Sequence, residues 1–151
     1  MEKLLVSACL LGIGCRYDGK SKGCDSVIAL REKFDLVPIC PEILGGLPTP
    51  RIPAEISSDR VLRRDGENVT ENYRKGAEAT LAIARLTGAK VALLKERSPS
   101  CGKGKVYDGS FTSTLVDGDG VTVSLLERDG IRVYGESEIE KLVADFTDRE
   151  E

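Results

Sequence analysis

The chain has 151 residues, 40% of them hydrophobic and 31% charged, which suits a soluble globular protein with one core and leaves too little length for two. A net charge of −3 and a pI near 5.2 argue against a polyanion as main partner, so free nucleic acid is not expected; 5% aromatic residues without tryptophan leave few stacking platforms for single strands. Histidine is absent, which removes the commonest general base and the commonest zinc ligand, and with them any Ser–His or Cys–His catalytic pair.

No apolar run reaches the roughly 18 residues that a membrane span needs. Val6-Ser7-Ala8-Cys9 resembles a lipoprotein cleavage box, but only eight residues precede Cys9. A signal peptide needs a charged start and then roughly 7–15 apolar residues, so that reading is rejected. A cytoplasmic setting is expected, where cysteine sets serve metals or catalysis more often than disulfides.

In chain order, Lys3–Ala8 reads as a first buried strand. A loop follows with Gly12, Gly14, Gly19 and Gly23, and it also carries Cys15, Arg16, Tyr17 and Asp18. Its glycines match neither a dinucleotide-binding loop nor a P-loop. Asp25 or Ser26 is expected to cap a short helix through Lys33. Asp35–Ile39 is the second strand, with Pro38 marking its end or a sheet edge. Cys40–Asp59 is a proline-stiffened segment carrying Glu42, Arg51 and Glu55; irregular segments of this length are usually functional. Arg60–Val69, with Asp65-Gly66 at its middle, reads as a small hairpin.

Thr70 is expected to cap a helix to Leu86, stopped by Gly88, with Tyr73, Ala77, Leu81 and Ala84 as its core stripe. Val91–Leu94 is the third strand. Tyr107–Gly120 is polar and glycine-rich, Val121–Arg128 is helical, and Ile131–Tyr134 is the fourth strand. Ser137 with Glu140 forms a capping box for a last helix bearing Ile139, Leu142, Val143 and Phe146. This alternation predicts a small single-domain α/β fold: a Rossmann-like open parallel sheet of about four strands with flanking helices. The domain is expected to cover residues 1–146, and 147–151 a charged, solvated tail.

Three of the five cysteines stand where a strand gives way to a Gly- or Pro-rich loop. Cys9 follows the first strand, Cys40 the second, and Cys101 sits in KERSPSCGKG after the third. Open α/β sheets gather their sites at the carboxyl ends of strands, so these cysteines are expected to meet. Cys24 reads as a plain small side chain, a reading that also exists for the trio. Structural zinc and a disulfide redox site both favour a CxxC element, and none is present. An iron–sulfur cluster fits better: three thiolates hold a [4Fe–4S] cluster with one iron open to substrate, whereas Cys15 as a fourth ligand favours electron transfer.

The segments SACLLG-x-x-CRYDG (Ser7–Gly19), CPE-x-x-GGL-x-TPR-x-PAE (Cys40–Glu55) and SPSCG (Ser98–Gly102) resemble, in order, those of the thiouracil desulfidase family. The similarity runs from Lys3 to about Phe146. It implies a [4Fe–4S] cluster on Cys9, Cys40 and Cys101 whose free iron takes the sulfur of a thiolated pyrimidine such as 2-thiouracil while water replaces that sulfur at carbon. It further implies that Glu42 and a serine of the SPSCG loop, Ser98 or Ser100, handle protons and position the substrate. The residue chemistry agrees: such a reaction needs a soft Lewis acid and a base, and without histidine a carboxylate is the natural base. Arg51 either holds a substrate oxygen or pairs with Glu55, and Tyr17 and Asp18 either line the pocket or form a turn. The alternatives are a noncatalytic cluster- or metal-binding module for iron, sulfur or electrons, and a small-molecule binding domain with free cysteines.

Overall fold

The structure, a computed structural model, describes residues 1–147. Thr147, expected to open the charged tail, is the last residue of the final helix, and the rest of that expected tail, 148–151, lies outside the described residues. In chain order the strands are β1 (Lys3–Ser7), β2 (Asp35–Ile39), β3 (Ala54–Ser57), β4 (Arg60–Arg63), β5 (Val91–Leu94), β6 (Lys105–Tyr107), β7 (Leu115–Asp117) and β8 (Arg132–Gly135). The α-helices are α1 (Asp25–Ile28), α2 (Pro41–Leu44), α3 (Thr70–Thr87), α4 (Val121–Arg128) and α5 (Ile139–Thr147).

Four parallel strands form the central sheet in the order β2-β1-β5-β8, the Rossmann-like arrangement that the alternation implied. β1 and β5 are its middle strands and are apolar on both faces, as a covered parallel sheet requires. Alternation along them divides the core. Leu4, Val6, Val91 and Leu93 pack with Val27, Leu30, Leu142 and Phe146 on one face. Leu5, Ala92 and Leu94 pack with Leu81, Ala84, Val123 and Leu126 on the other. Each fully buried Leu or Val contributes about 1.5–3 kcal/mol, so these two layers carry the fold. Pro38 lies on β2, an edge strand, where its missing N–H removes no ladder bond. Among the described residues no helix is long and apolar enough to cross a membrane.

Several local expectations change. The expected Arg60–Val69 hairpin forms, with the Arg63 N–H donating to the Glu67 carbonyl and the Val69 N–H to the Val61 carbonyl, but an unexpected hairpin, β3–β4, precedes it and turns at Ser58 with φ 60°. Asp65-Gly66 makes a second turn that brings Asn68 back beside Leu62. Thr70 is not the cap of α3. Its hydroxyl accepts from the Val61 N–H and donates to Asn68, tying the helix to β4, while Val69 occupies the cap position. Cys24, rather than Asp25 or Ser26, precedes α1, which ends at Ile28 and continues as a 3-10 turn through Glu32. Ser137 forms no capping box with Glu140: it donates through N–H and hydroxyl to Glu96, and the Gly135 N–H donates to Glu138. The polar stretch 107–120 also contains most of the small β6–β7 hairpin.

Candidate active site

The three cysteines follow three neighbouring strands of the sheet. Cys9 sits in the 3-10 turn Ala8–Leu11 that continues β1. Cys40 directly follows β2 and is the extended residue (φ −135°, ψ 96°) ahead of α2. Cys101 lies in the loop after β5, whose turn is tied by the Gly102 N–H donating to the Ser98 carbonyl at 2.8 Å. All three line one cavity of about 470 Å³, within the usual range for a small-molecule site. Cys15, Glu42, Arg51 and Ser98 face the same space.

The thiols feel burial and one another. Burial, then Cys40, pushes the Cys9 thiol up to about 11, against the pull of Lys95 and Arg16. Burial, then Cys40 and Cys9, pushes Cys15 up to about 12. Cys101 is raised by burial above all, although a hydrogen bond with Ser7 works the other way. Without a cofactor these groups are neutral thiols at pH 7, and an electrophilic centre among them would be needed to make them thiolates. Among the described residues no three Cys, Asp or Glu side chains are grouped so as to hold a single metal ion. A cluster is several atoms across and takes its thiolates from around a cavity, so this all-sulfur donor set fits an iron–sulfur cluster. Cys24 stands apart, beside Ser26 at 3.4 Å.

Glu42 occupies the first turn of α2, two residues after Cys40, and both of its oxygens are held. Arg51 donates to one at 2.9 Å through Nη2, and the Tyr73 hydroxyl donates to the other. Nη2 also reaches the Cys15 carbonyl at 3.0 Å, while Nη1 donates to the Pro48 carbonyl and to Thr49. Arg51 therefore pairs with Glu42 and not with Glu55, whose carboxylate accepts from the backbone N–H groups of Gly109 and Phe111. Each Glu42 oxygen keeps a second lone pair for a proton.

The two candidate serines separate clearly. Ser98 Oγ accepts from the N–H groups of Ser100 and Cys101, both at 3.1 Å, and its own proton is left to point elsewhere in a side chain that lines the cavity. Ser100 is buried at 1% exposure, shares a hydrogen bond with Thr122 at 2.8 Å, and does not line the cavity. Tyr17 lines the cavity; Asp18 is engaged by the Lys20 N–H and Arg16 in its own turn.

Other residues reach the site that the motifs did not single out. Tyr73 read as a core residue, yet its ring fills the core while its hydroxyl meets Glu42. Lys95 directly follows β5 beside the cavity, held by Glu136 at 3.3 Å. Arg64 stacks over the Phe111 ring at 5.6 Å on the far wall. The hydroxyl of Tyr73 was visible at the end of a buried stripe, where a polar tip needs a partner; the Arg64–Phe111 contact depends on loop geometry alone.

A sequence profile described as 2-thiouracil desulfurase matches residues 4–138 of the chain. A curated relative, the uncharacterized protein YbbK of Bacillus subtilis (strain 168), is 41% identical over 150 residues, covering 93% of this chain and 99% of its own length. A solved structure of the [4Fe–4S]-dependent thiouracil desulfidase TudS superposes with a TM-score of 0.93 at 44% identity, over 97% of this chain and 99% of the other.

Proposed function

The chain belongs to the 2-thiouracil desulfurase family, and from that membership and the site geometry we propose that it is an iron–sulfur-dependent desulfidase that replaces the sulfur of 2-thiouracil or a related small thiocarbonyl compound by oxygen. The observation that carries this reading is the arrival of Cys9, Cys40 and Cys101 from three adjacent strand ends at one cavity that also presents a carboxylate. These three residues would hold a [4Fe–4S] cluster, which supplies a soft Lewis acid for the thiocarbonyl sulfur and so makes the carbon attackable.

The protein's own side chains do the rest. Glu42 takes a proton from water on a free carboxylate lone pair, and Arg51 and Tyr73 keep that carboxylate in place. Ser98, with two backbone N–H groups fixing its oxygen, positions the substrate by a hydrogen bond from its hydroxyl to a substrate heteroatom. Ser100 serves the loop, not the reaction. The Cys15 backbone is fixed through its carbonyl, which accepts from Arg51 and, while Cys40 is a thiol, from Cys40 Sγ (3.8 Å); its own thiol lines the cavity, and ligation by the other three cysteines alone would keep one iron open to substrate. The desulfidase domain is assigned to residues 1–146, and five free cysteines suit a reducing cytoplasm.

Anaerobic loading with iron and sulfide, followed by a sulfide assay with 2-thiouracil, tests the reading. Substrate-dependent sulfide release supports the enzyme; a coloured protein that cycles electrons without releasing sulfide indicates the noncatalytic module, and a folded protein that stays colourless indicates a binding domain with free cysteines.

A further inference from the structure

We infer that Tyr73 is a positioning residue for desulfidation, one that acts through the Glu42 carboxylate without touching substrate. This rests on the proposed role of Glu42. Tyr73 does not line the 470 Å³ reaction cavity. It lines instead a second cavity of about 240 Å³ behind the site, together with Leu47, Pro50 and Val69. Only its hydroxyl reaches forward, to the Glu42 oxygen that Arg51 leaves free.

The placement is rigid from both sides. Tyr73 is 2% exposed, with its ring packed against Val61 and Val69. Glu42 is carried by α2, whose backbone abuts that of α3: Gly45 and Gly76 leave no room for a methyl, and the Asn72 side chain donates to the Gly45 carbonyl at 2.9 Å. Arg51 fixes one carboxylate oxygen and Tyr73 the other, so the carboxylate can neither rotate about its last bond nor swing out of the cavity. A base must sit within hydrogen-bond reach of the water it deprotonates, and displacement of about 1 Å costs on the order of a hundredfold in rate.

Tyr73→Phe keeps the buried ring and removes only the hydroxyl. It is expected to load its cluster as the wild type does, to keep KM within about twofold, and to lose roughly ten- to a hundredfold in kcat. In a Glu42→Gln background the same change is expected to cost nothing further in residual single-turnover rate, because residues that act as one unit are not additive. Wild-type kcat for Tyr73→Phe would overturn the inference, as would a loss that multiplies with that of Glu42→Gln or one matched by lost cluster loading. If Glu42→Gln has no measurable rate, the split between kcat and KM decides alone. If Glu42→Gln turns over at the wild-type rate, the role of Glu42 itself fails, and that outcome is distinct from an inert Tyr73 beside an essential Glu42.

Discussion

A methyl group on Gly76 would overlap the carbonyl oxygen of Pro41. The α2–α3 contact is therefore backbone against backbone, and it places both Cys40 and Glu42, which flank Pro41. Gly76→Ala has to push α2 away. Overpacking of this kind costs about 1–3 kcal/mol, a melting-temperature drop of several degrees by calorimetry, and the shift is expected to impair cluster loading as well. Gly88→Ala is the contrast. Gly88 has φ 77° and open space around it, so it loses about 1–2 kcal/mol through backbone strain and leaves loading intact.

Cluster loading should depend on specific thiols. Cys9→Ala, Cys40→Ala and Cys101→Ala each are expected to abolish the visible absorbance of the anaerobically loaded protein, while Cys24→Ala and Cys15→Ala retain it. Equal tolerance at all five positions would sink the three-ligand assignment. Loss of colour in Cys15→Ala would make the site fully protein-ligated and move the function toward electron transfer.

Loading should also follow pH. Burial keeps Cys9 and Cys15 neutral up to about 11 and 12, with Cys101 raised in the same direction. Thiolate ligation must therefore expel protons, so loading tightens as pH rises from 6 to 8 and releases protons that an indicator dye can count. Stability of the cluster-free protein has the opposite trend. The folded thiols lie above their ordinary value of 9.0, so their contribution is complete below pH 9 and is lost as pH climbs toward 11 and 12. A denaturation midpoint that rises between pH 9 and 11 would contradict this.

The serines give opposite phenotypes. Ser98→Ala is expected to lower kcat while the cluster still loads, since its hydroxyl faces the cavity. Ser100→Ala leaves the buried Thr122 hydroxyl without its partner, which costs about 1–3 kcal/mol of stability and leaves kcat near wild type. Steady-state kinetics beside a thermal melt separates them.

The sheet was legible because its signals are local. The apolar runs Leu4–Val6 and Val91–Leu94 are bounded by turns, and Asp35–Ile39 sits on an edge that Pro38 announces. From those strands the convergence of Cys9, Cys40 and Cys101 followed, because strand ends of one parallel sheet share one rim. The β6–β7 hairpin was hidden: three-residue strands such as Lys105–Tyr107 and Leu115–Asp117 offer too few alternations to register. The capping errors at Thr70 and Ser137 have one cause. Their hydroxyls were claimed by distant partners, Val61 in one case and Glu96 in the other, and local spacing carries no trace of such contacts. Of the two roles open to Arg51, the pair with Glu55 fails for the same reason: Glu55 is nearer in sequence than Glu42, but it is committed to the 109–111 loop.

The central claim is a hydrolytic removal of sulfur, and its most direct test is the product balance of the loaded protein with 2-thiouracil under anaerobic conditions. The desulfidase reading predicts one uracil and one sulfide for each substrate consumed, with no added electron donor or acceptor. Turnover that requires a donor, or colour changes with substrate but no sulfide, would contradict it.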